Sequence, residues 1–224
     1  VAPAPRVRVE STSLGREMIV DGTFASLHVP GRVATHSVWD ALAVPLLALP
    51  PERRKRVLVL GLGGGSAARI LRALAPDALI VGVEVDAEVV ACARAHFGLD
   101  ELRLEVVVAD ALEVLRCERR NFDLIVDDVF LGCGDGEARK PPWLPHPGHA
   151  LALRRLRAGG LLVSNTIHEA GRVACALREL CTGLLRIGVD GYWNLIYVAG
   201  PEELDARALR GAVRRSPVLA GALP

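Results

Sequence analysis

The sequence predicts an α/β fold built on a mostly parallel, doubly wound sheet, and three observations predict it. The apolar run Val57-Leu-Val-Leu60 leads into Gly61-Leu-Gly-Gly-Gly65 and at once into a helical pattern over 66–75. A strand buried on both faces reads as such a run, and glycine lets the backbone turn tightly and approach a ligand closely. Further apolar runs alternate with helical segments, the pattern of β-α-β units. The strand ends carry acids in succession: Glu84, Asp110 and the pair Asp127-Asp128.

Taken in order, 6–10, 16–20 and 23–27 read as short strands, separated by turns at Ser13-Leu-Gly15 and Asp21-Gly22. Asp-Gly between two β-rich runs is a strong hairpin signal. A helix is predicted over 34–48, broken or kinked at Pro45. Pro50-Pro51 and the basic run ending at Arg56 form a connector. The expected division is therefore an N-terminal β-hairpin and helix region over 1–50 and a cofactor-binding domain over 51–224.

From Arg56 onward strands are predicted near 56–61, 79–84, 104–108, 122–127 and 160–165. Helices lie between them near 66–75, 87–97, 110–116 and 147–157, the second with Asp86 as N-cap. After a helix over 169–181, strands at 184–189 and 192–198 meet through Asp190-Gly191, so the final strand should run antiparallel. A surface helix over 201–215 closes the chain.

Composition narrows the function. Of 224 residues 51% are hydrophobic, enough for a large core, and 27 basic against 26 acidic residues leave a net charge of +1. Such a balance gives no long-range field to recruit nucleic acid or an anionic membrane. No apolar run reaches the ~18 residues of a membrane span. No secretion signal is visible at the start, so a soluble, cytoplasmic protein is expected. The five cysteines form no C-x-x-C pair and read as reduced small hydrophobes, Cys133 alone falling in a candidate site loop. No His/Cys/Asp cluster has metal-ligand spacing, and no metal is expected.

The strand-end acids describe a nucleoside site. Glu84 follows the glycine turn by roughly twenty residues, where an acid meets ribose hydroxyls in dinucleotide folds, and a carboxylate can accept from both hydroxyls. Asp110, before Ala111, reads either as a ligand contact or as a helix N-cap. Adjacent residues on a strand point to opposite sides, so one of Asp127 and Asp128 faces the ligand. The long segment 129–148 carries Pro141-Pro-Trp143-Leu-Pro-His146, and long strand-to-helix loops often form substrate walls. Trp143 and His146 are read as acceptor contacts or as packing residues. Asn165 lines the pocket or satisfies backbone groups, and His168 reads as a helix-start residue.

These residues resemble the spermidine synthase-like family of class I S-adenosylmethionine-dependent transferases, over about 6–200. Ile19-Val-Asp-Gly22 is similar to its hairpin turn and Thr35-His36-Ser37 to its Tyr-His-Glu. Gly61-Leu-Gly-Gly-Gly65 is similar to its Gly-Gly-Gly-Asp-Gly, and Val83-Glu-Val-Asp86 to its Val-Glu-Ile-Asp. Phe122-Asp-Leu-Ile-Val-Asp-Asp128 resembles the strand that leads to its catalytic Asp.

The resemblance implies a Rossmann-like methyltransferase fold with an antiparallel final strand. It implies S-adenosylmethionine, or its decarboxylated form, held by Gly61, Gly63, Gly65, Glu84, Asp110 and Ala111. Asp128 matches the catalytic aspartate, which orients the nucleophile or accepts its proton, and Asp127 is a structural one. His36 is read as a ligand contact or a packed residue. The hairpin resembles a dimer-forming region, which implies a homodimer.

Departures from the pattern bear on the chemistry. Gly64 and Leu131 stand where the family has acids that hold amines, Thr35 and Ser37 replace Tyr and Glu, and Ala25 replaces a glutamine. A buried ammonium needs carboxylate partners, so methyl transfer to a small-molecule acceptor is slightly favoured over aminopropyl transfer. Against methyl transfer, Val59 stands where methyltransferases of this class often carry an acid. A non-catalytic nucleoside-binding module is the third reading.

Overall fold

The N-terminal region and the main sheet share a hydrophobic cluster. The computed structural model describes residues 5–132 and 137–221. Strands β1 (Val7–Ser11), β2 (Arg16–Val20) and β3 (Thr23–His28) form an antiparallel sheet in that order. The helix expected over 34–48 is shorter: α1 spans Val38–Ala43, and a 3-10 turn covers Val44–Ala48. Two causes are visible. Asp40 accepts the backbone N–H groups of Thr35 and His36, both at 2.8 Å, and holds the entry as a turn. Pro45, lacking an N–H, falls in the first turn of the 3-10 segment.

The remaining elements follow the predicted alternation: β4 (Arg56–Leu60), α2 (Ser66–Leu74), β5 (Leu79–Glu84), α3 (Ala87–His96), β6 (Glu105–Val108), α4 (Ala111–Cys117) and β7 (Phe122–Asp127). A small pair, β8 (Leu131–Gly132) and β9 (Ala138–Arg139), sits in the long segment and has no pattern in the sequence long enough to announce it. Then come α5 (Gly148–Arg154), β10 (Leu156–Thr166), α6 (Ala170–Leu180), β11 (Gly183–Gly188), β12 (Leu195–Gly200) and α7 (Ala206–Arg215). The last helix starts five residues later than expected because Asp205 caps it, accepting from Arg207 and Ala208 N–H.

Seven strands form the main sheet in the order β11-β12-β10-β7-β4-β5-β6. All neighbours are parallel except β12, which runs antiparallel to both β10 and β11. The reversed strand is therefore second from the edge. Along β4 the period of two divides the core: Val57 and Val59 pack on the side of α1 and α2, Leu58 and Leu60 on the side of α4 and α6. Leu27 and Trp39 from the N-terminal region join the first of these clusters.

Chain order reverses at β4, whose two neighbours are β5 and β7. Open α/β sheets bind ligands at such a switch point, beyond the carboxyl ends of the strands. Among the described residues no helix is long and apolar enough to cross a membrane.

Candidate active site

The glycine turn after β4 is held on three sides. The N–H groups of Gly61 and Leu62 both donate to Val83 O, at 3.0 and 2.9 Å. Gly61 has φ +79°, and a Cβ there would lie 2.7 Å from the Asp128 carbonyl carbon; only glycine lets the ends of β4 and β7 come this close. From the N-terminal sheet, Ser26 Oγ accepts the Gly64 N–H at 2.6 Å. Ser66 Oγ donates to Leu27 O and accepts the Leu27 N–H, each at 2.9 Å. Strand β3 is thus stapled to the turn and to the start of α2, and the N-terminal sheet becomes one wall of a cleft.

That cleft, about 970 Å³, opens at the switch point. Glu84 lines it from the end of β5. Its Oε2 accepts the Gly63 N–H at 2.9 Å and its Oε1 the Asp86 N–H at 3.2 Å. Burial raises its pKa, and these backbone donors oppose the rise. Asp110 and Ala111 line the next stretch. Asp110 Oδ1 also caps α4, accepting from Leu112 and Glu113 N–H at 2.8 and 3.1 Å. The two readings of Asp110 are therefore geometrically compatible.

Asp128, just past β7, faces the cleft half-buried. Burial pushes its pKa up to about 6, against hydrogen bonds from Asn165 and Trp39 and the charge of Lys140. Asn165 Nδ2 donates to Asp128 Oδ1 at 2.7 Å, and Asn194 Nδ2 donates to Asn165 Oδ1 at 2.9 Å. Asp127 points the other way and is buried. Lys140 Nζ lies 2.7 Å from its Oδ1, while His149 Nε2 and Ser164 Oγ lie 3.0 and 2.8 Å from its Oδ2. Burial alone would raise the Asp127 pKa, but Lys140 and His149 hold it below the usual carboxylate range.

Three expected contacts fall elsewhere. His36 is exposed and does not line the cleft: the Asp40 carboxylate draws the backbone of Thr35 and His36 into a left-handed turn at His36 (φ +54°), and Trp39 meets the cleft instead. His146 is exposed too and lines a separate shallow depression with Arg172 and Glu179. The chain folds back between Trp143 and Gly148, whose N–H donates to Trp143 O at 2.9 Å, so only Trp143 reaches the cleft. Gly65 caps α2 at φ +84° and abuts Leu99, shaping the turn without lining the cleft. Gly61, Gly63, Asn165 and His168 line it. Cys133 lies outside the described residues. Among those residues no group of three His, Cys, Asp or Glu is placed to hold a metal.

Aromatic side chains converge here, and of these only Trp143 was singled out from the sequence. All three tryptophans, Trp39, Trp143 and Trp193, line the cleft with Phe24, Phe130 and Tyr192. Their scarcity elsewhere in the chain was the available signal.

A family profile described as a methyltransferase domain matches residues 57–140. The polyamine aminopropyltransferase of Chromobacterium violaceum is 35% identical over 129 residues, which cover 52% of this chain and 49% of that enzyme. Further polyamine aminopropyltransferases match over comparable stretches. Over about half its length the chain is thus similar to spermidine synthase-like aminopropyltransferases. A probable spermidine synthase from Corynebacterium glutamicum superposes with a TM-score of 0.73 at 23% identity, covering 95% of this chain and 85% of that one. Human methyltransferase-like protein 13, solved with S-adenosylhomocysteine, gives a TM-score of 0.69 at 24% identity, with 83% and 90% covered. Both structures share the fold of this chain. The chain spans about half the length, or less, of the curated relatives it matches first.

Proposed function

We propose that the cleft binds a sulfonium nucleoside of the S-adenosylmethionine type and that the chain transfers one of its sulfonium substituents to a small-molecule amine. The donor set fits such a ligand. Glu84 offers carboxylate oxygens beside the glycine turn, and Asp110 and Ala111 follow along the same wall. When bound, the sulfonium supplies its own leaving group, so the protein's part is alignment and proton handling. Asp128 faces the acceptor side with a pKa of about 6 and is mostly ionised at neutral pH. Its carboxylate takes the proton that the amine gives up as the new carbon–nitrogen bond forms. Asn165 fixes its orientation through the 2.7 Å hydrogen bond.

The observation that carries the choice of group is the charge of the cleft. Glu84, Asp110, Asp128 and Glu137 line it, and no Lys or Arg is among its described lining residues. Arg139 pairs with Glu137 at 2.8 Å, and Lys140 is occupied by Asp127. S-adenosylmethionine carries a carboxylate that would enter this acidic wall without a cation to meet it, whereas the decarboxylated form is purely cationic. The cleft therefore supports aminopropyl transfer, as do the names of the curated relatives. The slight tilt toward methyl transfer drawn from sequence is reversed.

Methyl transfer stays as a second reading because Gly64 and Leu131 offer no carboxylate for a second amine. Calorimetric titration with both cofactors on one preparation decides between them. Tighter binding of the decarboxylated form is expected. Preference for the carboxylated form would restore methyl transfer, and binding of neither would remove the cofactor assignment.

A further inference from the structure

Behind Asp128 lies a buried polar cluster that packing alone does not call for. The side chains of Asp127, Lys140 and His149 are 2%, 0% and 1% exposed. Burying charges is costly unless each is paired, and an apolar residue at 127 would fill a strand end more cheaply. Instead the Asp127 carboxylate receives four donors from four places: Val129 N–H, Lys140 Nζ, His149 Nε2 and Ser164 Oγ. Because this carboxylate is ionised and can only accept, His149 carries its proton on Nε2. Its Nδ1 is buried and meets no partner among the described residues.

Lys140 is the hub. Besides Asp127 Oδ1, its Nζ contacts the Asp127 carbonyl at 3.4 Å and stands 4.4 Å from the centroid of the Phe130 ring, which lines the cleft. Its backbone N–H donates to Glu169 Oε1 at 3.0 Å, at the N-cap of α6. One side chain thus ties the segment after β9 to the end of β7 on both sides of Asp128. We propose that Lys140 is a positioning residue: through Asp127 and Phe130 it fixes the strand end that presents Asp128 to the acceptor, and it balances the charge of Asp127 there. This rests on the reading of the cleft as a transferase site.

The electrostatics have two opposing signs. Lys140 stabilises the Asp128 carboxylate and Asp127 destabilises it. Asn165 and Trp39 contact Asp128 directly, and Glu84, Asp110, Glu137 and His168 line the same cleft. These groups are untouched by changes behind the strand.

The test follows the Asp128 carboxyl by 13C NMR on aspartate-labelled protein, assigned by its loss in Asp128→Asn. Lys140→Met is expected to move its titration midpoint up, and Asp127→Asn to move it down. A merely structural role would not produce opposite shifts. The double variant Asp127→Val/Lys140→Met leaves no uncompensated charge and keeps the test open if a single variant fails to fold. It should bring the midpoint back toward that of the parent. Its kcat should still fall roughly tenfold, because small misplacements of a catalytic group are costly, while cofactor affinity holds. Lys140→Arg should retain part of the activity. A folded Lys140→Met or Asp127→Asn with an unmoved midpoint would overturn the proposal, as would a double variant with parental kcat. The NMR reading needs no turnover, so an inactive parent would count against the transferase reading while the midpoints still test this one.

Discussion

Gly63 donates its backbone N–H to Glu84 Oε2 at 2.9 Å, so the acid that ends β5 also holds the turn that ends β4. In the proposed reading, cofactor contact and loop shape are linked in one side chain. Glu84→Gln keeps a carbonyl oxygen for Gly63 but loses the charge. A charged hydrogen bond contributes about 2 kcal/mol, so cofactor affinity should fall by more than tenfold with little change in Tm. Calorimetry checks this; an unchanged Kd would place the ribose elsewhere.

Asp128 should show a trade between stability and activity. Its folded pKa, about 6, lies above the value of an unfolded aspartate, so the folded state binds more protons between the two. The stability it contributes is present at low pH and is lost as pH rises through about 6. Asp128→Asn keeps the acceptor oxygen for Asn165 and removes the buried charge. The variant should have a higher Tm than the parent at pH 8, a gap that closes near pH 4, and should lose turnover. Equal Tm values at pH 8 would contradict the assigned shift.

Gly61→Ala tests the closeness of β4 and β7. The added methyl would overlap the Asp128 backbone and sit at φ +79°, a strained conformation for alanine. Backbone strain and overpacking together should cost about 2–4 kcal/mol. Urea denaturation measures it, and a loss under about 1 kcal/mol would mean that the strand ends separate easily.

Ser26→Ala removes the acceptor for the Gly64 N–H on a side chain that is 1% exposed. An unsatisfied buried donor costs about 1–3 kcal/mol. Stability should drop by that amount, and cofactor affinity should weaken because the wall formed by β3 is released from the turn. Loss of stability without any change in affinity would show that the wall is not part of the ligand site.

The parts of the site legible in sequence are those encoded by neighbours along the chain. The glycine turn, Glu84 and the Asp127-Asp128 pair declare themselves because strand, turn and acid follow one another within a few residues. What escaped depends on distant partners. Asp40 reshapes the segment that carries His36, although nothing in Thr35-His36-Ser37 alone requires it. Ser26 matters only because β3 arrives beside Gly64. Lys140 and His149 become interpretable once both are seen on Asp127, from separate segments that share no spacing rule. Trp143 and His146 sit three residues apart on one loop, and the fold-back between them, invisible in composition, sends them to different surfaces.

The gathering of Trp39, Trp143 and Trp193 around one cleft makes the protein's ultraviolet emission a local signal. Trp39 is 4% exposed beside Asp128, whereas Trp193 stands 90% exposed at the rim. A ligand that reaches the floor should alter the short-wavelength edge of the spectrum, and one that stops at the mouth should blue-shift the long-wavelength edge. No label is needed: the whole indole complement of the chain is already stationed where a ligand would enter, and its colour reports how far in it has come.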